Sequence, residues 1–198
     1  YGALIALGIL HTVQQLNASQ EQIANAAAYR DMIAGTGRFL TFSSGGATIG
    51  YRFREAPEER AALRIVKETD AGLVLRGKIG MHTSPPFAED VYIGSGCNVD
   101  YGSHRATFIV PVNAPGVTIF CRRRAARPES RFLAPLSNRY DELDGQMWLD
   151  DVFVPWERIF FVQAPPSPGS PMPPPGRQPE TIALWLFWHQ LYAWLAKA

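Results

Sequence analysis

Two short stretches of the 198-residue sequence combine residue types that could bind a ligand. Residues 81–86 (MHTSPP) place hydroxyl groups after an apolar run, and a Thr or Ser hydroxyl can both donate and accept a hydrogen bond. Residues 41–50 (TFSSGGATIG) are mostly small, which allows backbone N–H groups to approach a ligand closely. Neither stretch is diagnostic alone. The first could be an ordinary polar turn, and the second lacks GxGxxG or Walker spacing.

Charge and cysteine content exclude several function classes. The formal net charge is +1 with 19% charged residues, which argues against a strongly basic nucleic-acid binder. Arginines 122–124 and 127 lack interleaved aromatic residues and are interpreted as a solvated loop. Cys97 and Cys121 have neither CxxC spacing nor nearby His pairs, so no metal site is expected. A reducing, cytoplasmic setting is predicted, with a single disulfide between them left open.

Both ends of the sequence predict that the chain is a segment of a longer protein. The start, YGALIALGIL, resembles the middle of a helix, has no initiator Met, and lacks the features of a signal peptide. It is also too short for a membrane span, which needs about 20 apolar residues. The final stretch, TIALWLFWHQLYAWLAKA, stops without a capping or Gly signal.

The N-terminal part predicts two helices. Apolar residues recur with helical spacing over residues 1 to about 34. Ser19 is the expected N-cap of the second helix, because Gln22 stands three residues later as in a capping box. The sequence Gly35-Thr36-Gly37 is expected to end that helix.

The middle of the chain predicts a sheet domain of short strands bounded by Gly, Pro, Asn or Asp. Because no helix separates the strands, we expect antiparallel pairing in a barrel or sandwich. Residues 70–72 are predicted to turn a hairpin. The predicted strands are residues 39–43, 62–68, 72–79, 90–94, 106–111, 117–121 and 147–154.

The stretch 141–161 (DELDGQMWLDDVFVPWERIFF) predicts the last strand of this domain. An acidic turn precedes the strand, and Pro155 with Trp156 is expected to stop it. The carboxylates of the acidic turn are expected to pair with nearby arginines or to cap the turn rather than to act in catalysis. These carboxylates are Asp141, Glu142 and Asp144, and the arginines are Arg139 and Arg158.

The expected organisation has four parts. Residues 1–38 are the end of an N-terminal helical domain and residues 39–163 form the β-barrel domain. Residues 164–180 are a Pro-rich linker of semi-extended character. Residues 181–198 are a truncated first helix of a C-terminal bundle, because they are apolar nearly all round and require burial. The predicted fold class is therefore α+β.

Four segments resemble, in order, blocks of the large (oxygenase) component of the 4-hydroxyphenylacetate 3-hydroxylase family. These segments are VKETDAGLVLRGKIGMHTSPPFAEDVYIG, ATFIVPVNAPGVTIFCRR, LSNRYDELDGQMWLDDVFVPWERIF and WHQLYAWLAKA. The resemblance covers most of residues 62–198 and implies an acyl-CoA dehydrogenase-like fold. It also implies a homotetrameric monooxygenase that takes FADH2 from a separate reductase. Such an enzyme hydroxylates a phenol ortho to its OH through a C4a-hydroperoxyflavin.

The resemblance also implies roles for individual residues. Thr83 matches the Thr that contacts the flavin ring in the family. Ser95 and Gly96 fall where a family loop meets the substrate, although Gly94-Ser95-Gly96 is first of all a flexible turn. Tyr1 is matched to a family Tyr that binds the substrate and is assigned a catalytic role. The other expected cofactor-binding residues are His82, Ser84, Thr48, Ile49 and Gly50.

The sequence departs from the family pattern at Phe42, an expected substrate-binding position. The family usually has a His there, which polarises the phenol, and a Pro-Gln element shortly beyond it. A Phe can neither donate nor accept a proton. Another base, an altered substrate or an impaired enzyme could explain the change. An acyl-CoA-type flavin dehydrogenase or dehydratase, and a non-catalytic β-domain interaction module, therefore remain open alternatives.

Overall fold

A computed structural model describes residues 2–16, 18–43, 63–99, 104–123, 132, 135 and 143–163. Side chains are described at all of these except residues 2–7, 15, 81, 95–99, 104, 105 and 163. The expected linker and C-terminal helix, at residues 164–198, lie outside the described residues, as do Tyr1 and residues 44–50.

The two expected helices are present, as α1 (Gly2–Gln15) and α2 (Gln20–Thr36). The predicted capping box is confirmed, because the Gln22 N–H donates to Ser19 Oγ at 3.2 Å and the Ser19 N–H donates to Gln22 Oε1 at 3.0 Å. At the other end Gly37 adopts φ 66°, and its N–H donates to the Ile33 carbonyl. Neither described helix is long and apolar enough to cross a membrane.

The described strands form two four-stranded sheets. The first sheet has the order β1-β4-β5-β8 and the second has the order β2-β3-β7-β6. The strands are β1 (Leu40–Ser43), β2 (Arg64–Thr69), β3 (Gly72–Thr83), β4 (Asp90–Val99), β5 (His104–Pro111), β6 (Val117–Cys121), β7 (Asp144–Pro155) and β8 (Ile159–Gln163). The β2–β3 hairpin is confirmed, with Thr69 opposite Gly72 across a two-residue turn.

The expectation of a wholly antiparallel barrel is wrong in two respects. First, β1 and β4 pair in parallel, with Thr41 opposite Val91. A parallel pair needs a long crossover between its strands, and the β2–β3 hairpin of the second sheet lies within that crossover. Second, the described strands do not close into a barrel, because each sheet keeps two edge strands. The sandwich alternative is the one that the described strands adopt.

The prediction that β7 is the last strand is also wrong. After β7 a single 3₁₀ turn, Trp156–Arg158, carries the chain from the second sheet to the first. The following strand, β8, pairs antiparallel with β5. Pro155 ends one strand without ending the sheet domain, and the apolar residues Ile159–Val162 were the signal for the missed strand.

The core divides into two layers on either side of the first sheet. Between the two sheets lies a cluster that includes Leu75, Ile79, Ile93, Phe108 and Met147. Alternate residues of the first sheet point the other way and pack against the helices, in a cluster that includes Ile9, Val13, Ile33, Ile109 and Phe160. The first sheet is therefore buried on both faces, and β1 lies between the helices and the second sheet.

A buried carboxylate ties the helical layer to the first sheet. The side chain of Asp90 is 0% exposed and accepts three hydrogen bonds. Tyr29 Oη donates at 3.0 Å, Arg38 Nε at 3.1 Å and Arg158 Nη1 at 3.1 Å. Burial raises the pKa of Tyr29 above its usual value, and the negative charge of Asp90 raises it further. The Asp90 carboxylate is thus paired on both oxygens, as a buried charge requires.

Candidate functional site

The described start of one candidate ligand-binding stretch, Thr41–Ser43, meets the end of β3 in the other stretch at the junction of the two sheets. Thr41, in β1, is 3% exposed, and its Oγ1 donates a hydrogen bond to the main-chain carbonyl of Thr83 at 2.5 Å. The two residues are 42 positions apart in the sequence and belong to different sheets. This bond therefore places the end of β3 beside β1, the strand that leads into residues 44–50.

Thr83 is the last residue of β3 and has an exposed side chain. The sequence placed it after a strand ending at residue 79, but pairing with β7 continues until Thr83 lies opposite Asp144. Ser84 then takes φ 55°, and its N–H donates to the Leu143 carbonyl at 2.8 Å. The backbone turns away from the sheet at this point, and the Thr83 hydroxyl is left at its open end.

Asp144 pairs with a different arginine from those expected. Arg122 Nε lies 3.3 Å from Asp144 Oδ2, whereas Arg158 binds the buried Asp90 and Arg139 lies outside the described residues. The reason is sheet order, because β6 runs beside β7 and Arg122 directly follows β6. Arg122 is therefore ion-paired and only 32% exposed, rather than part of a solvated loop as the sequence predicted.

His82 and Thr83 point to opposite faces of β3. His82 is only 3% exposed and lies opposite Gly145, whereas Thr83 is exposed. This difference follows from the two-residue period of a strand. Ser84, the other neighbour, is half-buried. Of the three expected cofactor-binding residues in this segment, Thr83 presents the most accessible polar group.

Phe42 lies in an aromatic pair that faces the helices. It is half-buried and stands opposite Tyr92 of β4, with 5.7 Å between the ring centroids. Gly94 lies under both rings, and a Cβ there would come within 2.3 Å of Tyr92 Cε1 and 2.9 Å of Phe42 Cε2. Phe42 therefore provides an apolar surface where the family pattern has a His. The sequence did not indicate Tyr92, because the parallel β1–β4 pairing was not expected.

The other expected site residues are only partly placed. Ser95 and Gly96 lie within β4, so the expected flexible turn at these residues is wrong. Thr48, Ile49, Gly50 and Tyr1 lie outside the described residues. Cys121 is a free, exposed thiol, so no disulfide forms there. Within the described part of the chain, no three His, Cys, Asp or Glu side chains are grouped so as to hold a metal ion.

The described groups fit the polar edge of a flavin ring. An isoalloxazine presents N–H donors and carbonyl acceptors along one edge, and a threonine hydroxyl is in general able to pair with either kind. The main chain behind Thr83 is held by Thr41 and by the Ser84–Leu143 hydrogen bond. A rigid strand end with an open hydroxyl is the type of support that orients a planar cofactor.

Sequence comparisons relate the chain to phenol-oxidising enzymes. It is 39% identical over 113 residues to the oxygenase component of 4-nitrophenol 4-monooxygenase/4-nitrocatechol 2-monooxygenase from Rhodococcus opacus. It is 31% identical over 138 residues to 2,4,6-trichlorophenol monooxygenase from Cupriavidus pinatubonensis. These alignments cover 56% and 69% of this chain. The chain spans only 21% and 25% of the two relatives.

Solved structures and a family model agree with these relatives. The fold superposes with a TM-score of 0.65 and 26% identity on the oxygenase component of 4-hydroxyphenylacetate 3-monooxygenase complexed with FAD and 4-hydroxyphenylacetate. That superposition covers 81% of this chain and 34% of the other, and the described helices and sheets confirm the expected α+β class. The family model described as 4-hydroxyphenylacetate 3-hydroxylase N terminal matches residues 2–161. The chain belongs to the 4-hydroxyphenylacetate 3-hydroxylase family.

Proposed function

We propose that this chain forms part of the oxygenase component of a two-component phenol monooxygenase that uses FADH2 and O2. The observation that carries the proposal is the Thr41–Thr83 hydrogen bond, which joins the first residue of one expected cofactor stretch to the other stretch. Family membership and the FAD-bound relative support the same conclusion. The predicted reaction is hydroxylation of a phenol ortho to its OH.

The flavin supplies the oxygen-activating chemistry when it is bound. The chain binds and orients the flavin and the phenol, and it excludes water from them. Thr83 contacts the ring, and Thr48, Ile49 and Gly50 complete the cofactor site. His82 and Ser84 support this segment. On the substrate side, Phe42, Ser95 and Gly96 contact the phenol, and Tyr1 has a catalytic role.

The partners of the proposed enzyme follow from its relatives. A curated relative is named as an FADH(2)-dependent monooxygenase, and others are named as oxygenase components, which supports a separate flavin reductase for this protein. We also propose a cytoplasmic homotetramer. The proposed organisation is a helical domain to residue 38, a sheet domain to residue 163, a Pro-rich linker to residue 180 and the first helix of a bundle.

The test is an activity assay on the protein encoded by the full reading frame that contains this chain. The protein receives FADH2, regenerated by a flavin reductase, with O2 and a phenol panel of 4-hydroxyphenylacetate, 4-nitrophenol and 2,4,6-trichlorophenol. We expect a hydroxylated product from at least one phenol, detected by mass spectrometry, and none when oxidised FAD is supplied without the reductase. FADH2 binding without any product would contradict the monooxygenase and leave the dehydrogenase or interaction-module alternatives.

A further inference from the structure

Three neighbouring strands of the second sheet end in a row of polar side chains. Thr83 ends β3, Asp144 begins β7 and Arg122 directly follows β6. The strands are adjacent in the order β3, β7, β6, so the three side chains lie side by side. Thr83 Oγ1 is 3.4 Å from Asp144 Oδ1, and Arg122 Nε is 3.3 Å from Asp144 Oδ2. We call this row the strand-end triad.

The triad determines which way the Thr83 hydroxyl points. A carboxylate can only accept hydrogen bonds, and a threonine hydroxyl has a single proton. In this contact Thr83 must therefore be the donor, and its remaining lone pairs can only accept. The polar edge of an isoalloxazine ring carries an N–H that such an acceptor can bind.

We propose that Asp144, anchored by Arg122, is a positioning residue that makes Thr83 a hydrogen-bond acceptor toward a ring N–H of the flavin. This inference rests on the flavin contact proposed for Thr83. The role is separate from that contact, because Asp144 acts through Thr83 and needs no contact with the ring.

Hydrogen bonds to main-chain carbonyls hold the three strand ends in place without using the side chains of the triad. The Arg122 N–H donates to the Asp144 carbonyl at 2.9 Å, and the Ser84 N–H donates to the Leu143 carbonyl at 2.8 Å. Thr41 Oγ1 donates to the Thr83 carbonyl. A change of the Asp144 side chain should therefore redirect the hydroxyl while the strands keep their register.

Asp144→Asn is a sharp probe because Arg122 dictates how the amide is turned. Arg122 Nε can donate only to the amide oxygen, so the amide N–H2 faces Thr83. The Thr83 oxygen then accepts from the amide, and its proton turns toward the flavin. A ring N–H would now face another donor. We expect the dissociation constant for FADH2 to rise about three- to tenfold, the effect of one lost hydrogen bond.

The experiment is an anaerobic FADH2 titration of the full reading-frame protein and a double-mutant cycle. We expect Thr83→Val and Asp144→Asn each to weaken FADH2 binding about three- to tenfold. The double variant should bind FADH2 as tightly as the single variant that has the lower affinity. Thr83→Ser keeps the hydroxyl and should lose less FADH2 affinity than Thr83→Val. Asp150→Asn is the matched control. Asp150 also lies in β7 and also pairs with an arginine, because its Oδ1 is 3.7 Å from Arg76 Nε.

Several results would overturn the inference. The inference fails if Asp144→Asn binds FADH2 as tightly as Asp150→Asn does while Thr83→Val binds weakly, or if the two losses multiply in the double variant. Unchanged affinity in Thr83→Val would remove the flavin contact itself. If Asp144→Asn lowers the unfolding midpoint, Arg122→Met replaces it, and its failure to weaken binding by about twofold counts against the triad.

Failure of the proposed function has a different signature. Hydroxylated phenol is measured on the same wild-type protein, in a separate assay. Absence of product together with the expected cycle in FADH2 affinity refutes the monooxygenase and leaves the triad supported. Product together with an additive cycle refutes the triad and leaves the monooxygenase supported.

Discussion

The hydroxyl of Thr41 donates a hydrogen bond to the main-chain carbonyl of Thr83 across the junction of the two sheets. Thr41 is almost fully buried, so the bond is shielded from water. It is the link between the strand that leads toward residues 44–50 and the strand end that presents the proposed flavin contact. The geometry of the cofactor site should therefore be sensitive to this bond.

Removal of the Thr41 hydroxyl should loosen that link. Thr41→Val keeps the shape of the side chain but leaves the Thr83 carbonyl without this donor, so we expect a loss of about 1–3 kcal/mol in the free energy of unfolding. FADH2 affinity should fall as well. Urea unfolding and flavin titration measure the two effects. Thr118→Val, at an exposed position of β6, is the control and should change neither quantity.

Enlargement of Gly94 should disturb the aromatic pair. Gly94→Ala places a Cβ within 2.3 Å of the Tyr92 ring and 2.9 Å of the Phe42 ring, so both rings must shift. We expect a loss of about 1–3 kcal/mol in the free energy of unfolding, as for other overpacked cores. Gly35→Ala is the control, because nothing lies within 4 Å of its Cβ position. Equal stability of the two variants would contradict the packing.

Neutralisation of the buried Asp90 should be far more costly than that of an exposed acid. Asp90→Ala leaves Arg38, Arg158 and Tyr29 without their shared acceptor. We expect about 3–5 kcal/mol of destabilisation in urea unfolding. Asp31→Ala, which removes an exposed partner of Arg30, should stay within about 1 kcal/mol of the wild type. A small effect at Asp90 would mean that the carboxylate is not buried as described.

Tyr29 should make stability depend on pH in the alkaline range. Burial and the charge of Asp90 raise its folded-state pKa above the unfolded value of about 10. The folded protein then holds the phenolic proton more tightly than the unfolded chain. Its contribution to stability is complete below pH 10 and is lost as the pH rises above that value. The free energy of unfolding should fall with rising pH by a slope that approaches about 1.4 kcal/mol per pH unit, and this contribution should be absent in Tyr29→Phe. Urea unfolding between pH 9 and 11 measures the slope.

Phe42 offers a test of the departure from the family pattern. Phe42→His restores a group that can polarise a phenol, and general acid–base catalysis typically contributes about 100-fold or more. We expect at least a tenfold higher hydroxylation rate with one of the three phenols, measured as product formed per unit time. Phe42→Leu is the control for lost aromatic packing against Tyr92. Equal rates in the two variants would place the substrate away from this position.

The sequence by itself determined the local elements of this protein. The capping box at Ser19, the left-handed Gly37, the hairpin turn before Gly72 and most strands depend on neighbouring residues only, so composition and spacing were sufficient. Residue-level resemblance also identified the family, because four ordered blocks carry more information than any single motif. Thr83 was found in this way.

Tertiary structure decided which of these elements meet. The parallel β1–β4 pair, the extra strand β8 and the Arg122–Asp144 ion pair all join residues that are distant in sequence, and a strand pattern carries no information about its partner. The Thr41–Thr83 bond is of the same kind, since it depends on two sheets packing face to face. The sequence indicated Thr83 as a candidate site residue, whereas the groups that contact it or its neighbours, Thr41, Asp144 and Arg122, became apparent only in the fold.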